Sequence, residues 1–214
     1  KKLKTSSARF ELNLEKELIS LETELKSKTY KPNRFSVFVV TEPKIREIFA
    51  SDFRDRIVHH IIINHIQPIF EPKFIYDSFA NRKNKGTHLA VRRLQTFTRK
   101  ITKNGNKKAF YLQADIKNFF PSINHSILFN LIKKHVNNKE ILELTKLIIF
   151  HDCTRNPIRK GNKSLFQKVP PQKSLFFTPK GQGLPIGNLT SQFFANVYLN
   201  ELDQYVKHTV KCKF

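Results

Sequence analysis

Residues 181–200, GQGLPIGNLTSQFFANVYLN, constrain the fold of this chain more than any other segment. Three glycines and a proline come directly before an amphipathic run. Pro185 fixes its own φ and Gly187 permits a positive φ, so "LPIG" predicts a rigid turn whose backbone closely approaches another group. Thr190 or Ser191 can cap the helix that follows, whose free N-terminal amides suit a phosphate or a polar base edge. The segment lacks the Walker A and dinucleotide patterns, and alone it also fits a plain loop-to-helix junction.

The distribution of charge indicates a polyanionic partner. The formal net charge is +22, and between Asp77 and Glu140 fourteen basic residues accompany a single acid, Asp115. Residues 153–200 carry seven basic residues and no acid. Such blocks are typical of surfaces that follow a phosphate backbone, and nucleic acid is therefore the first candidate partner. A lone carboxylate in so basic a region suggests a specific task for Asp115.

Composition and length exclude several other classes of protein. A chain of 214 residues with 39% hydrophobic residues can build one large domain or two smaller ones. Two cysteines, Cys153 and Cys212, are too few for a disulfide framework and indicate a reducing compartment. There is no apolar run near the roughly 18 residues of a membrane span. Since the chain starts at Lys1 and contains no Met, we expect it to be a fragment.

Hydrophobic periodicity predicts an α+β fold with few strands. Residues 153–180 are basic, irregular and contain proline, with room for a hairpin. Three histidines, His59, His60 and His65, lie near the apolar face of a predicted helix, and no cysteine or carboxylate set completes a metal site, so we interpret them as packed or solvated. The predicted helices cover 8–27, 51–70, 89–101, 125–136, 139–150 and 190–207, and the predicted strands cover 35–40 and 109–116.

Asp115 ends the run AFYLQADI, in which apolar and polar residues alternate. The alternation predicts a strand with Asp115 at its end, on the polar face. A carboxylate there can hold a divalent cation against nucleotide phosphates, but two-metal phosphoryl transfer needs at least two carboxylates. Taken alone, Asp115 also fits an ordinary surface aspartate.

Two further basic segments could contact phosphate. Lys44 and Arg46 stand two residues apart, so in an extended segment both cations lie on one face, where they can bind a triphosphate. A solvated basic pair remains an alternative. Arg54, Asp55 and Arg56 lie at a helix start, where a structural salt bridge is as good a reading as a substrate contact.

The order of these motifs resembles the fingers and early palm of a reverse transcriptase. The resemblance covers residues 30–214 and is most specific in ADIKNFFPSI and GLPIGNLTSQFFANVYLN. Within that superfamily LPIGNLTSQ is similar to the diversity-generating retroelement branch, because Ile186 and Gln192 stand where group II intron enzymes have Gln and Pro. A group II intron, retron or abortive-infection type enzyme stays open, as does a non-catalytic RNA-binding module on the same fold.

The resemblance implies a role for individual residues. It makes Asp115 the first catalytic, metal-binding aspartate, with the Ile116 carbonyl as a further ligand of a two-metal Mg²⁺ site. It implies nucleotide contacts by four residues: Lys44 and Arg46 on the triphosphate, Phe119 as the steric gate against a ribose 2′-hydroxyl, and Ile186 beside the nascent pair. It implies template or primer contacts by Arg82, Lys83, Gly187, Gln192 and Asn196.

The resemblance also implies a domain organisation and partners. An N-terminal helical extension would cover 1–29, the fingers 30–108 and the N-terminal palm 109–214, with a basic insertion at 151–180. The Tyr-x-Asp-Asp motif and the thumb would follow Phe214, so we expect this fragment alone to be inactive. The expected partners are an RNA template, a primer and dNTPs, with a small basic accessory protein as a further candidate and no membrane. The expected activity is error-prone copying of RNA, with mutations at adenines, in the cytoplasm by a bacterial or phage-encoded enzyme.

Overall fold

The α+β prediction is confirmed by a computed structural model that describes residues 5–210. Helices dominate, and the strands described form one small sheet. The α-helices are α1 (Thr5–Leu12), α2 (Leu14–Lys26), α3 (Phe53–Phe70), α4 (Thr87–Ile101), α5 (Phe119–Ser122), α6 (His125–Lys133), α7 (Lys139–Phe150), α8 (Lys163–Gln167) and α9 (Leu189–Gln204). The strands are β1 (Ser36–Val40), β2 (Arg46–Ala50) and β3 (Ile158–Arg159).

Side-chain caps fix the starts of three central helices. Asp52 precedes α3 and accepts a hydrogen bond from the backbone N–H of Arg54 at 3.3 Å. Asn124 and Asn138 cap α6 and α7 in the same way, each at 3.0 Å from the backbone nitrogen three residues on. These caps satisfy N–H groups that have no partner inside a helix, which explains why the predicted and observed starts agree closely.

The main core lies between α3, α6, α7 and α9. Its apolar side chains come from the helical stripes seen in the sequence, because residues three and four apart share one helix face. Burying such side chains contributes about 1.5–3 kcal/mol each, so this core holds the helices together. The fully buried members include Val58, Ile62, Ile66, Leu128, Ile132, Ile149 and Phe194.

The sheet has the strand order β2-β1-β3. β1 and β2 form an antiparallel hairpin in which Val37 pairs with Phe49. β3 pairs in parallel with the other edge of β1, with Ser36 opposite Ile158. Residues 153–180 thereby reach the hairpin, although they contain β3, α8 and two 3₁₀ turns rather than a hairpin of their own.

A second, smaller core lies between the hairpin and residues 153–180. It contains Phe35, Val37, Phe49 and Cys153, with Phe166, Leu175 and Phe176 packed against it. Burial raises the pKa of the Cys153 thiol to about 12, so this group is an inert core residue. Cys212 lies outside the described residues.

Two predicted elements differ in the structure. The helix expected over 8–27 is interrupted at Asn13, whose φ of −123° and ψ of 31° are not helical. The strand expected over 109–116 is wrong, since these residues have no regular secondary structure and Phe110 is 96% exposed. Apolar and polar residues do alternate in this segment, but a strand also needs a neighbouring strand for its backbone hydrogen bonds. Among residues 5–210 no strand lies beside residues 109–116.

Within residues 5–210, no helix is long and apolar enough to cross a membrane.

Candidate functional site

The two most specific sequence motifs are in direct contact. The backbone N–H of Gly183 donates to the carbonyl of Ile123 at 2.8 Å, and that of Leu184 donates to Phe120 at 2.9 Å. The buried ring of His125 donates from Nε2 to the carbonyl of Gly183 at 2.7 Å. Backbone hydrogen bonds therefore join residues 181–188, which we call the glycine loop, to the turn that follows Asp115.

The other end of the same loop binds the free edge of β2. The N–H of Phe49 donates to the carbonyl of Ile186 at 2.9 Å. The side-chain amide of Asn188 donates to the Phe49 carbonyl at 2.9 Å and accepts from the N–H of Ser51 at 3.1 Å. Residues 186–188 thus satisfy backbone groups that an edge strand would otherwise leave open. One loop, residues 181–188, connects the Asp115 motif to β2.

The start of α9 corrects the predicted cap. Asn188 occupies the N-cap position, and its side chain is used on β2 rather than on the helix. Thr190 and Ser191 lie inside the first turn and are buried. The helix begins at Leu189, one residue before the predicted start, and no side chain caps it.

Gly187 lies where the loop comes closest to β2. Its φ is +119°, a conformation that side chains rarely adopt. A Cβ at this position would lie 2.8 Å from Cγ2 of Ile48 and 3.2 Å from the carbonyl oxygen of Phe49. The close backbone approach predicted from "LPIG" is present, and its partner is a strand of the same chain.

Of the predicted basic pair, only Arg46 lies on the strand that binds the glycine loop. Arg46 is the first residue of β2, is exposed, and precedes Phe49 by three residues. Lys44 is also exposed but lies in the turn before β2. Ile186 is half-buried and Gly187 is exposed, so solvent reaches this part of the loop beside the β1–β2 hairpin, which we call the basic hairpin because it carries Lys44 and Arg46.

Asp115 and Ile116 lie in the exposed segment that leads into α5. Ile116 is 46% exposed, whereas the Phe119 ring packs 5.5 Å from that of Phe120 and 6.4 Å from that of Tyr198. Asp115 is five positions before Phe120, which bonds to Leu184, so the chain allows at most about 18 Å between Asp115 and Phe120.

The described residues do not make a complete metal site. Asp115 offers hard oxygen ligands of the type that Mg²⁺ prefers, and it is exposed. No group of three or more His, Cys, Asp or Glu within residues 5–210 could hold a metal ion together. Asp115 therefore belongs to no group of three or more such side chains among these residues.

Arg82, a predicted template contact, is bound by residues of its own loop. Its side chain is 7% exposed and pairs with Glu71 at 2.7 Å. Its Nη1 donates to the carbonyls of Ile75 and Ser78, both at 2.8 Å, and the guanidinium lies over the ring of Phe74. Arg82 thus closes the loop after α3 upon itself, and these partners occupy its guanidinium.

The remaining predicted template contacts divide by exposure. Lys83 is exposed in the loop that precedes α4, and Gln192 is exposed on α9. Asn196 is only 8% exposed, and its side-chain amide donates to the carbonyl of Ala80 at 2.7 Å. Asn196 therefore holds the loop before α4 against α9, whereas Lys83 and Gln192 face solvent.

A cluster of cations on Tyr76 could not be predicted from the sequence. Nζ of Lys85 lies 3.5 Å from the centre of the Tyr76 ring and donates to the Tyr76 carbonyl at 2.8 Å. Arg93 also lies over this ring and pairs with Asp77 at 2.7 Å. Such cation–π contacts stabilise the loop by about 0.5–1 kcal/mol each. Part of the positive charge in this block is therefore structural.

The arginine-rich start of α3 also has structural partners. Arg54 pairs with Glu24 of α2. The buried carboxylate of Asp55 accepts from the hydroxyl of Tyr30 at 2.8 Å and from the N–H of Asn33 at 2.9 Å. Burial raises the pKa of Asp55 against these hydrogen bonds. Of the two readings open from the sequence, the structural one holds for Arg54 and Asp55.

The histidines of α3 do not form a metal cluster within the described residues. His60 and His65 are exposed, and His59 is buried in the core. Burial lowers the pKa of His59 to about 4, with His60, Arg56 and His151 lowering it further. His59 is therefore neutral at physiological pH, as expected of a packed histidine.

Comparison with known proteins assigns the family. The chain belongs to the family described as reverse transcriptase (RNA-dependent DNA polymerase), which matches residues 31–214. It is 24% identical over 193 residues to Protein YkfC of Escherichia coli K12, covering 89% of this chain and 45% of that protein. It is 26% identical over 193 residues to the group II intron-encoded protein LtrA of Lactococcus lactis, covering 89% of this chain and 28% of that protein.

A plant relative extends the same pattern. The mitochondrial nuclear intron maturase 2 of Arabidopsis thaliana is 23% identical over 198 residues, covering 80% of this chain and 26% of that protein. The chain spans less than half the length of each of these curated relatives.

Proposed function

We propose that the protein containing this chain is an RNA-directed DNA polymerase that copies an RNA template into cDNA. The observation that supports this most is the loop 181–188. One end of it hydrogen-bonds to the turn after Asp115, and the other to the strand that begins with Arg46. A polymerase needs a metal-binding carboxylate, a triphosphate clamp and a surface for the nascent pair near one another, and this loop joins the segments that would supply them.

Each predicted residue has a defined task in this proposal. Arg46 and Lys44 would bind the incoming triphosphate, since guanidinium and ammonium groups match phosphate oxygens. Asp115, with the Ile116 carbonyl, would be the ligand from this region for Mg²⁺, which supplies charge stabilisation during phosphoryl transfer. Phe119 would exclude a 2′-hydroxyl, and Gly187, Gln192 and Lys83 would lie along the template and primer.

The domain organisation follows from the same proposal. Residues 30–108 would form the fingers and 109–214 the N-terminal part of the palm, after a helical extension over 1–29. An RNA template and a primer would be the polyanionic partners that the charge of +22 indicates.

We further propose the diversity-generating retroelement type, with errors at template adenines and a small basic accessory protein as a partner. The support is Ile186. Its carbonyl is held by Phe49 and its side chain is half-buried, so isoleucine can offer a nascent pair only packing. A glutamine there could add hydrogen bonds, which discriminate between pairs more strongly than packing does. The alternative is a group II intron, retron or abortive-infection type enzyme.

Primer extension by the full-length protein tests the general proposal. We expect Mg²⁺-dependent incorporation of dNTPs on an RNA template and a loss of at least about a thousandfold in Asp115→Asn. The matched control is Asp152→Asn, an aspartate that instead accepts hydrogen bonds from Thr154. RNA binding without any extension would favour the non-catalytic module.

Sequencing the products on adenine-containing RNA tests the finer proposal. We expect Ile186→Gln to lower the error rate at adenine relative to the other template bases, with Ile186→Leu as the control that retains only packing. An unchanged error spectrum in Ile186→Gln would remove the support for the retroelement type.

A further inference from the structure

Glu47 is a buried carboxylate in the middle of β2. It is 5% exposed and lies next to Arg46, with its side chain on the opposite face of the strand. Oγ of Ser174 lies 2.9 Å from Oε2 and 3.1 Å from Oε1, and the N–H of Leu175 donates to Oε2 at 3.1 Å. We call Glu47, Ser174 and Leu175 the Glu47 cluster.

Stability alone gives little reason for a carboxylate at this position. Burial raises the pKa of Glu47, which means that the fold disfavours its charge. The Ser174 and Leu175 hydrogen bonds and the charge of Arg159 lower this pKa but offset burial only in part. An apolar side chain could replace Glu47 without loss only if both donors changed too, because the Ser174 hydroxyl and the Leu175 N–H would otherwise be left unpaired. What the carboxylate adds is a directional attachment between β2 and residues 174–175.

Residues 174–178 in turn contact the glycine loop. A Cβ on Gly183 would lie 2.8 Å from Cδ2 of Leu175 and 3.1 Å from Cγ2 of Thr178, so both side chains rest against the backbone of Gly183. The backbone of Gly183 has a φ of +94° and bonds to Ile123. Residues 174–178 thus form a spacer between the buried face of β2 and the first half of the loop.

Ile186 is bonded to β2 through the N–H of Phe49, and the segments on either side of it are also fixed. The segment before it is held at Gly183 by the spacer, and the segment after it is held at Asn188 by the edge of β2. Both attachments end on the strand that begins with Arg46, one on its face and one on its edge.

We infer that Glu47 is a positioning residue: through Ser174 and Leu175 it sets the distance between Arg46 on β2 and Ile186 on the glycine loop, and so the width of the nucleotide site. The inference rests on the proposed function. Residues 153–180 would then act on the site without touching the nucleotide.

Two variants of the full-length protein test this inference. Ser174→Ala removes the hydroxyl from the Glu47 cluster. Glu47→Gln keeps the side-chain volume but weakens the hydrogen bonds that residue 47 accepts from Ser174 and Leu175. We expect both to raise KM for dNTP by about fivefold to tenfold while kcat changes less than about twofold. Ser164→Ala is the matched control, because its hydroxyl bonds to Asn162 in the same segment and does not contact β2.

Hydrogen exchange provides a readout that does not depend on activity. We expect amides of 46–50 and 181–188 to exchange about tenfold faster in Ser174→Ala and Glu47→Gln, and not in Ser164→Ala. Faster exchange confined to 171–178, or a lower melting temperature with unchanged KM, overturns the inference. If the wild-type protein extends no primer, the proposed function fails, and the exchange data alone decide the role of Glu47.

Discussion

The side-chain amide of Asn188 hydrogen-bonds to the backbone carbonyl of Phe49 across 2.9 Å, in the place where a further strand would bind β2. The same amide accepts from Ser51 at 3.1 Å, so one side chain supplies both a donor and an acceptor to the strand. Asn188 is 4% exposed. If its side chain were removed, the Phe49 carbonyl and the Ser51 N–H would lose these hydrogen bonds and could not replace them with water. The contact decides how the glycine loop and the basic hairpin are placed together.

Asn188→Ala should therefore lower the free energy of unfolding by about 2–3 kcal/mol, because it leaves two buried backbone groups unpaired. Asn188→Asp should be no better, since a carboxylate would face the Phe49 carbonyl. Urea unfolding measures both. Asn162→Ala is the control: Asn162 is an exposed cap that accepts from Ser164, and its loss should cost only about 1 kcal/mol. Equal losses in Asn162→Ala and Asn188→Ala would contradict this account.

Gly187→Ala should cost more stability than Gly181→Ala. Both glycines have positive φ, so both substitutions carry a backbone cost of about 1 kcal/mol. Nothing lies within 4 Å of a Cβ on Gly181, whereas the one on Gly187 would lie 2.8 Å from Ile48. We expect a further loss of about 1–3 kcal/mol for Gly187→Ala in denaturant unfolding, as for other overpacked sites. Equal stabilities of Gly187→Ala and Gly181→Ala would mean that the Ile48 side chain can move aside at little energetic cost.

Arg82 and Lys83 are adjacent in sequence, but their substitutions should have different effects. Arg82→Ala should destabilise the fold by about 3 kcal/mol, because it leaves Glu71 and two carbonyls without their partner. Lys83→Ala should leave the melting temperature unchanged and weaken RNA binding. The slope of log affinity against log salt should fall by about 0.7–0.9 for one lost phosphate contact. An unaltered slope would remove Lys83 from the interface.

Stability should decrease on acidification because of His59. Its pKa is about 4 in the folded protein and 6.5 in the unfolded chain. Below pH 6.5 the unfolded chain therefore binds a proton at His59 that the folded protein does not bind. The loss develops between pH 6.5 and 4 and reaches at most about 3 kcal/mol. His59→Leu should flatten this part of the curve in urea titrations at several pH values. Burial also lowers the pKa of His151, so His151→Phe is the control for the remaining slope.

Local patterns predicted α3, α4, α6, α7, α9 and β1 because the information lies within a few residues. Helical stripes and caps such as Asp52 are properties of short segments. β2 was recognised only as an extended segment, since its buried face includes Glu47, whose hydrogen-bond donors lie 127 and 128 residues away. Conversely, residues 109–116 have the alternating pattern of a strand, but no neighbouring strand pairs with them among residues 5–210. Pairing is a long-range property, and alternation in one segment does not supply it.

The same distinction applies to the candidate site. Composition and motifs identified Asp115, Arg46 and the glycine loop, and the structure brings the loop against the strand of Arg46. They could not separate Arg82, which is enclosed by its own loop, from the exposed Lys83. Whether a basic residue faces solvent depends on acceptors such as Glu71 and the carbonyl of Ile75, and one sequence does not show where these lie.

The parallel pairing of Ser36 with Ile158 has a consequence for biosynthesis. The ribosome releases the β1–β2 hairpin long before β3 exists, and the residues that close its other edge, 186–188, come later still. During that interval both edges of the hairpin are open to other strands, including those of neighbouring nascent chains. Contacts between such distant segments also slow folding. Recombinant production should therefore gain from slow translation at low temperature, and truncations between residues 50 and 188 should aggregate.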